Sequence, residues 1–225
     1  MVRIYETAEE QLSQEIAECT NSQNPVKSRD IRSNDYIQKK LEKELLAQGY
    51  FYERKKGLYR DQSKAKRLDA EKIGQILMAF YNDMPGDAKN KKKTIFEDKF
   101  DDIFNDNLKA EDILLVYKLY EKIEKSKNKK YAKMFQMNDK QIEKENFILY
   151  ASYYILYILK KLSIKNSITL NLSSFNNIWS LYSEALKLIK KFVKEEKKTG
   201  TSYYSHATFF KGNKLKNKID DYFQK

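Results

Sequence analysis

Apolar residues in this chain recur mostly three and four positions apart, the spacing of helices with one buried face, and alternate only briefly. Val2-Arg3-Ile4-Tyr5 alternates and reads as a short strand. Thr7-Ala8-Glu9-Glu10 has the form of a capping box and opens a helix with Leu12, Ile16 and Cys19 on one face. A polar loop, Asn21-Ser22-Gln23-Asn24-Pro25-Val26, follows, its proline holding Asn24 extended. A helix over 35–48 turns Ile37, Leu41 and Leu45 inward and ends at Gly49. Residues 50–55 are aromatic-rich and read as a strand that stops by Gly57. Asp69 caps a third helix with Ile73, Ile76, Leu77 and Phe80 inside, and Pro85-Gly86 marks 82–90 as a turn or loop.

From residue 95 onward the pattern is helical throughout. Ile95, Phe96, Phe100, Ile103 and Phe104 fit one amphipathic helix, and Ile113, Val116, Tyr117, Tyr120 and Ile123 the next. The basic run 125–130 reads as a connection. Asn138 and Gln141 form a capping box that opens a long helix to about residue 162. Ser174 opens another, with Phe175, Trp179 and Tyr182 facing the core and Gly200 at its end, and Leu215, Ile219 and Tyr222 mark a last short helix. The fold expected is mainly α. It comprises a small N-terminal α/β remnant of two or three short strands (1–94) and a helical bundle (95–225).

Composition narrows the function. One cysteine and one histidine leave no disulfide framework, no cysteine-built zinc site and no histidine-pair metal site. No cofactor, metal or catalytic residue is expected. The most apolar window, 147–159, is too short to cross a bilayer, so a cytoplasmic chain without membrane contact is expected. Lys plus Arg number 44 against 32 for Asp plus Glu, and the resulting +12 favours polyanionic partners, nucleic acid foremost.

Two stretches fit such a partner. The amides of Asn21, Gln23 and Asn24 suit base edges or phosphate and ribose oxygens, or else stiffen their own loop. The cations Arg54, Lys55, Lys56, Arg60 and Arg67 surround Tyr52 and Tyr59, a mixture that follows a phosphate backbone while rings stack on bases. Further basic patches occur at 89–93 and 125–130. Glu53-Arg54-Lys55 also echoes the Glu-x-Lys half of a metal-dependent nuclease, for which no partner aspartate on a neighbouring strand is evident.

The run 20–26, with Asp30, Ser33-Asn34-Asp35 and Gly49-Tyr50-Phe51-Tyr52-Glu53-Arg54-Lys55-Lys56-Gly57, resembles the abortive-infection phage-resistance (AIPR) family. Phe80-Tyr81, Met84-Pro85, the 95–104 segment and Phe209-Phe210-Lys211 follow that family's layout. The resemblance implies a bacterial antiviral-defence protein. It also implies a C-terminal half, whose nuclease-like upstream half lies in the same family or on a partner chain. An accessory module binding nucleic acid through basic loops is the reading that results. Its alternatives are a metal-dependent nuclease using Glu53 and Lys55, or a helical protein-interaction module. An unfinished sheet edge would favour self-association.

Overall fold

A computed structural model describes residues 27–199 and 204–224. The expected strand at 2–5, the helix after it, the loop with Asn21, Gln23 and Asn24, and Gly200 lie outside the described residues. The order is α1 (Ser28–Arg32), α2 (Tyr36–Ala47), β1 (Phe51–Glu53), β2 (Arg67–Asp69), α3 (Ala70–Phe80), α4 (Pro85–Asn90) and α5 (Phe100–Ile103). Then come α6 (Ala110–Met134), α7 (Asp139–Glu145), α8 (Ser152–Lys165), α9 (Phe175–Ser180), α10 (Tyr182–Thr199), α11 (His206–Phe209) and α12 (Asn213–Gln224). Among the described residues the chain is mainly α, with one two-stranded parallel sheet near its start.

Asp69 starts the central helix: its Oδ1 accepts from the Lys72 amide at 2.9 Å, satisfying a donor the first turn leaves free. From Ile73 onward every α3 side chain is buried, because α4, α6 and α8 enclose it. Gln75 donates across to the Ala88 carbonyl at 2.6 Å and fixes α4 against α3. Helix α8 is wrapped in the same way, with every residue from Ser152 to Leu159 buried. Gly49, at φ +79°, ends α2 in left-handed backbone, and the Tyr50 amide returns to the Leu45 carbonyl. The buried apolar set runs without a gap from Ile37 to Ile219.

Several expectations need correction. Residues 85–90 form a helix, with Pro85 in its first turn, where a missing N–H costs nothing. The 95–104 segment is no single helix: a 3-10 turn (Lys92–Phe96) and α5 bend Phe96, Phe100 and Phe104 onto one another. The basic run 125–130 lies inside α6, where Glu121–Lys125 and Glu124–Lys127 pairs support the helix.

The long helix after Asn138 is also broken. A 3-10 turn (Asn146–Tyr150) carries α7 on, and the chain then bends by 73° at the junction with α8. Helix α7 buries none of its residues and α8 most of its own, so the chain must turn there from surface to interior. Trp179 and Phe175 sit at the rim of the core, with the Lys122 ammonium over both rings. No single described helix is long and apolar enough to cross a membrane.

Candidate nucleic-acid interface

Strands β1 and β2 pair in parallel, with Phe51 opposite Arg67, Tyr52 opposite Leu68 and Glu53 opposite Asp69. A parallel pair requires a crossover. Here it is the charged segment 54–66, after which β2 runs directly into α3. The carboxyl ends of both strands and the start of α3 therefore meet at one place, the kind of edge where open α/β sheets bind ligands. Arg29 of α1 ties that edge together. It donates to the Glu53 carbonyl at 2.6 Å, the Arg54 carbonyl at 3.1 Å and Asp69 Oδ2 at 2.7 Å, with its side chain 10% exposed.

The cations singled out in the sequence divide into two groups. Arg54 is held inside the fold, its Nε 2.7 Å from Glu42 Oε2 and its Nη1 donating to the Ser33 carbonyl. Tyr59 donates to the other oxygen of Glu42 at 2.9 Å; burial, then that carboxylate, pushes the phenol above its ordinary value. Arg67 stands 3.6 Å from Glu53 Oε1 and donates to the Tyr59 carbonyl. Lys55, Lys56 and Arg60, by contrast, are exposed and form no ion pair among the described residues. The Arg60 side chain lies across Gly57, whose φ of +74° and bare α-carbon admit it; a Cβ there would meet Arg60 Nε at 2.4 Å.

Glu53, the carboxylate of the nuclease-like triplet, is buried and accepts from the Tyr59 amide at 3.3 Å. With Arg67 beside it, its charge is used by the fold. Among the described residues no group of three or more His, Cys, Asp or Glu side chains is arranged to hold a metal.

A cleft of about 780 Å³ opens at the strand ends, lined by Arg29, Lys56, Asp69, Glu71, Lys92 and Lys93, among others. Lys92 pairs with Glu71 at 3.1 Å, whereas Lys56 and Lys93 are exposed and unpaired among the described residues. The fold thus joins two basic patches far apart in sequence, on the crossover and at 89–93. Arg29 was not legible in advance, because nothing in Lys27-Ser28-Arg29-Asp30 marks one cation as buried.

A family model described as AIPR protein matches residues 1–206. The chain belongs to the AIPR family. That membership gives it an abortive-infection, phage-resistance role. The AIPR match takes in both strands, the cleft and helices α1 to α10, and stops at the first residue of α11. It thus continues through the helices past residue 100, where the quoted motifs thin out. No curated protein and no solved structure matches the chain.

Proposed function

We propose that this AIPR chain is an accessory module of phage resistance that binds nucleic acid without cutting it. One observation carries the reading. Exposed Lys56 and Lys93 line the strand-end cleft, whose Asp69 and Glu71 are paired with Arg29 and Lys92, while Asp30 and Glu97 carry no ion pair among the described residues. Exposed Lys55 and Arg60 stand on the crossover that supplies Lys56. Arg54 and Arg67 then act by holding the crossover in shape rather than by touching phosphate. Asn21, Gln23 and Asn24 remain part of the proposal as amide contacts from the segment that precedes α1 in the sequence.

The test is a binding titration with duplex DNA and single-stranded RNA at several salt concentrations. Log affinity should fall with log salt by about 0.9 per neutralised phosphate on duplex DNA. Replacing Lys55, Lys56 and Arg60 with Ala should weaken binding to every sequence and flatten that slope. Either nucleic acid should stay intact in Mg²⁺ or Mn²⁺. A salt-insensitive affinity, or none at low salt, would sink the binding reading. Cleavage abolished by Glu53→Gln would make the chain an enzyme instead.

A further inference from the structure

Helix α10 carries six lysines against three glutamates, and the lysines are not scattered. Lys187, Lys191, Lys194 and Lys198 follow one another at steps of four, three and four residues, so they share one face over about 16 Å of helix. All four are exposed, and none has an ion pair among the described residues. The opposite face, with Ala185, Leu188, Ile189, Phe192 and Val193, is buried in the core. Lys190 and Lys197 flank one edge of the row and are bound to Glu145 at 2.7 Å and Glu143 at 3.1 Å. Glu196 is buried and bound by Lys214 and Lys218. Glu184 and Glu195 stand at the other edge, about 50–70° round the helix from the row.

Lys187, the first of the row, also lines a cavity of about 300 Å³. The cavity has an apolar wall, made by Phe147 and Ile148 of the 3-10 turn and by Tyr182 and Leu186 of α10. Tyr182 is held in place by stacking on Trp179, with ring centroids 4.4 Å apart and planes within 15°. Lys130 and Lys190 reach the same cavity, but Glu145 takes both, at 3.3 and 2.7 Å. Lys187 is therefore its one cation without an ion pair among the described residues. A space of this size is at the small end of ligand sites and has room for a flat ring system.

We propose that α10 binds a single strand of nucleic acid, with phosphates along the lysine row and one unstacked base in the cavity beside Lys187. A line of cations on one helix face suits a polyanion that runs along it, since each phosphate neutralised releases counter-ions. The cavity decides the strand class. A base paired inside a duplex cannot enter it, whereas an unpaired base can turn out and lie against the aromatic wall. An anionic membrane is the other partner for a basic amphipathic helix, but it binds through an inserted apolar face, and that of α10 is spent on the core. The inference rests on the nucleic-acid reading above and adds to it a second surface, which shares no residue with the strand-end cleft.

The full chain is titrated with an oligothymidylate and with a duplex of the same length over a range of salt, following Trp179, the single tryptophan. The single strand should bind more tightly and change the Trp179 emission saturably, and the duplex should leave it unchanged. Lys187→Gln/Lys191→Gln/Lys194→Gln/Lys198→Gln should flatten the salt slope for the single strand by about 0.7 for each phosphate no longer neutralised. If the oligonucleotide binds and this variant keeps the parent slope, the lysine row is refuted and the reading above survives. If the variant loses slope while Lys55→Ala/Lys56→Ala/Arg60→Ala keeps it, the row stands and the cleft is not the binding surface. Binding of neither nucleic acid ends both, and binding to anionic-lipid vesicles alone overturns the inference in favour of a membrane. Should the variant fail to fold, the unmodified chain decides: Trp179 emission unmoved at saturating oligothymidylate would empty the cavity of its base and refute the inference.

Discussion

Gly74 sits in α3 with no room for a side chain, since a Cβ there would come within 2.4 Å of Ile95 Cγ2. Gly74→Ala should overpack the junction with the 3-10 turn and cost about 1–3 kcal/mol in urea unfolding. Gly49 is the opposite case. Nothing lies within 4 Å of its added Cβ, yet φ is +79°, so Gly49→Ala should cost about 1–2 kcal/mol through backbone conformation alone. Gly49→Asn should cost less, and equal losses for Ala and Asn would contradict this account. Arg29→Ala should be worse than either. It leaves the Glu53 and Arg54 carbonyls without their donor and unpairs the partly exposed Asp69 carboxylate, a loss of about 2–4 kcal/mol. An unfolding midpoint within error of the parent would mean that water replaces the guanidinium. The sequence showed that 54–67 is basic but not which cations are spent. Arg54 meets Glu42 only because α2 doubles back beside β1, twelve residues earlier in the chain.

At the scale of elements, α11 and α12 close the bundle through polar fastenings. Tyr154 donates to the Gly212 carbonyl at 2.7 Å, Tyr157 donates to Asp220, and Lys216 and Lys161 flank the same carboxylate. Burial alone would raise the Asp220 value, but these hydrogen bonds outweigh it and hold it below the ordinary carboxylate value. Its contribution is thus full above the carboxylate range and is lost as pH falls through it. His206 acts earlier in the same direction. Its ring stacks on Tyr150 at 6.1 Å and its Nδ1 lies 2.7 Å from the Tyr204 hydroxyl. Burial, then Lys197, lowers it to about 4 from 6.5, against the opposing pull of Glu143. The unfolded chain therefore takes the proton first. Stability is full above about pH 6.5 and declines towards pH 4, by no more than about 1–2 kcal/mol given the ring's partial exposure. Since the chain has one histidine, its NMR signal reports directly. A titration midpoint near 6.5 would refute the burial, and His206→Gln should flatten the decline.

Which elements were legible follows the same physics. The Asp69 cap and the Gly49 stop are local, and both stand where the pattern placed them. Strand β2 is three residues between charges, and it is a strand only because β1 lies alongside. Helix α6 continues through its lysines because Glu121 and Glu124 sit one turn back, a pairing invisible to a reading of charge runs.

For the molecule as a whole, the change of pattern near residue 95 marks where strands cease, and the buried apolar set crosses it. Helix α3, contributed by the first 94 residues, fills the space among α4, α6 and α8. Ile73, Ile76, Met78, Ala79 and Phe80 have no exposure at all, and the α6 and α8 residues they touch would lose their cover without them. An exposed apolar face of that extent is a liability no bundle carries unaided. A chain comprising residues 95–225 alone should therefore melt broadly and bind a hydrophobic dye, while the full chain unfolds in one cooperative step. Hydrogen exchange on the full chain gives the sharper reading. Amides of α3 should be protected to the same free energy as those of α8 around Tyr154, because neither helix can open while the other stays packed. Cooperative melting of the fragment, with α8 protected as in the full chain, would show that the bundle is a unit of its own and that α3 is only its lid.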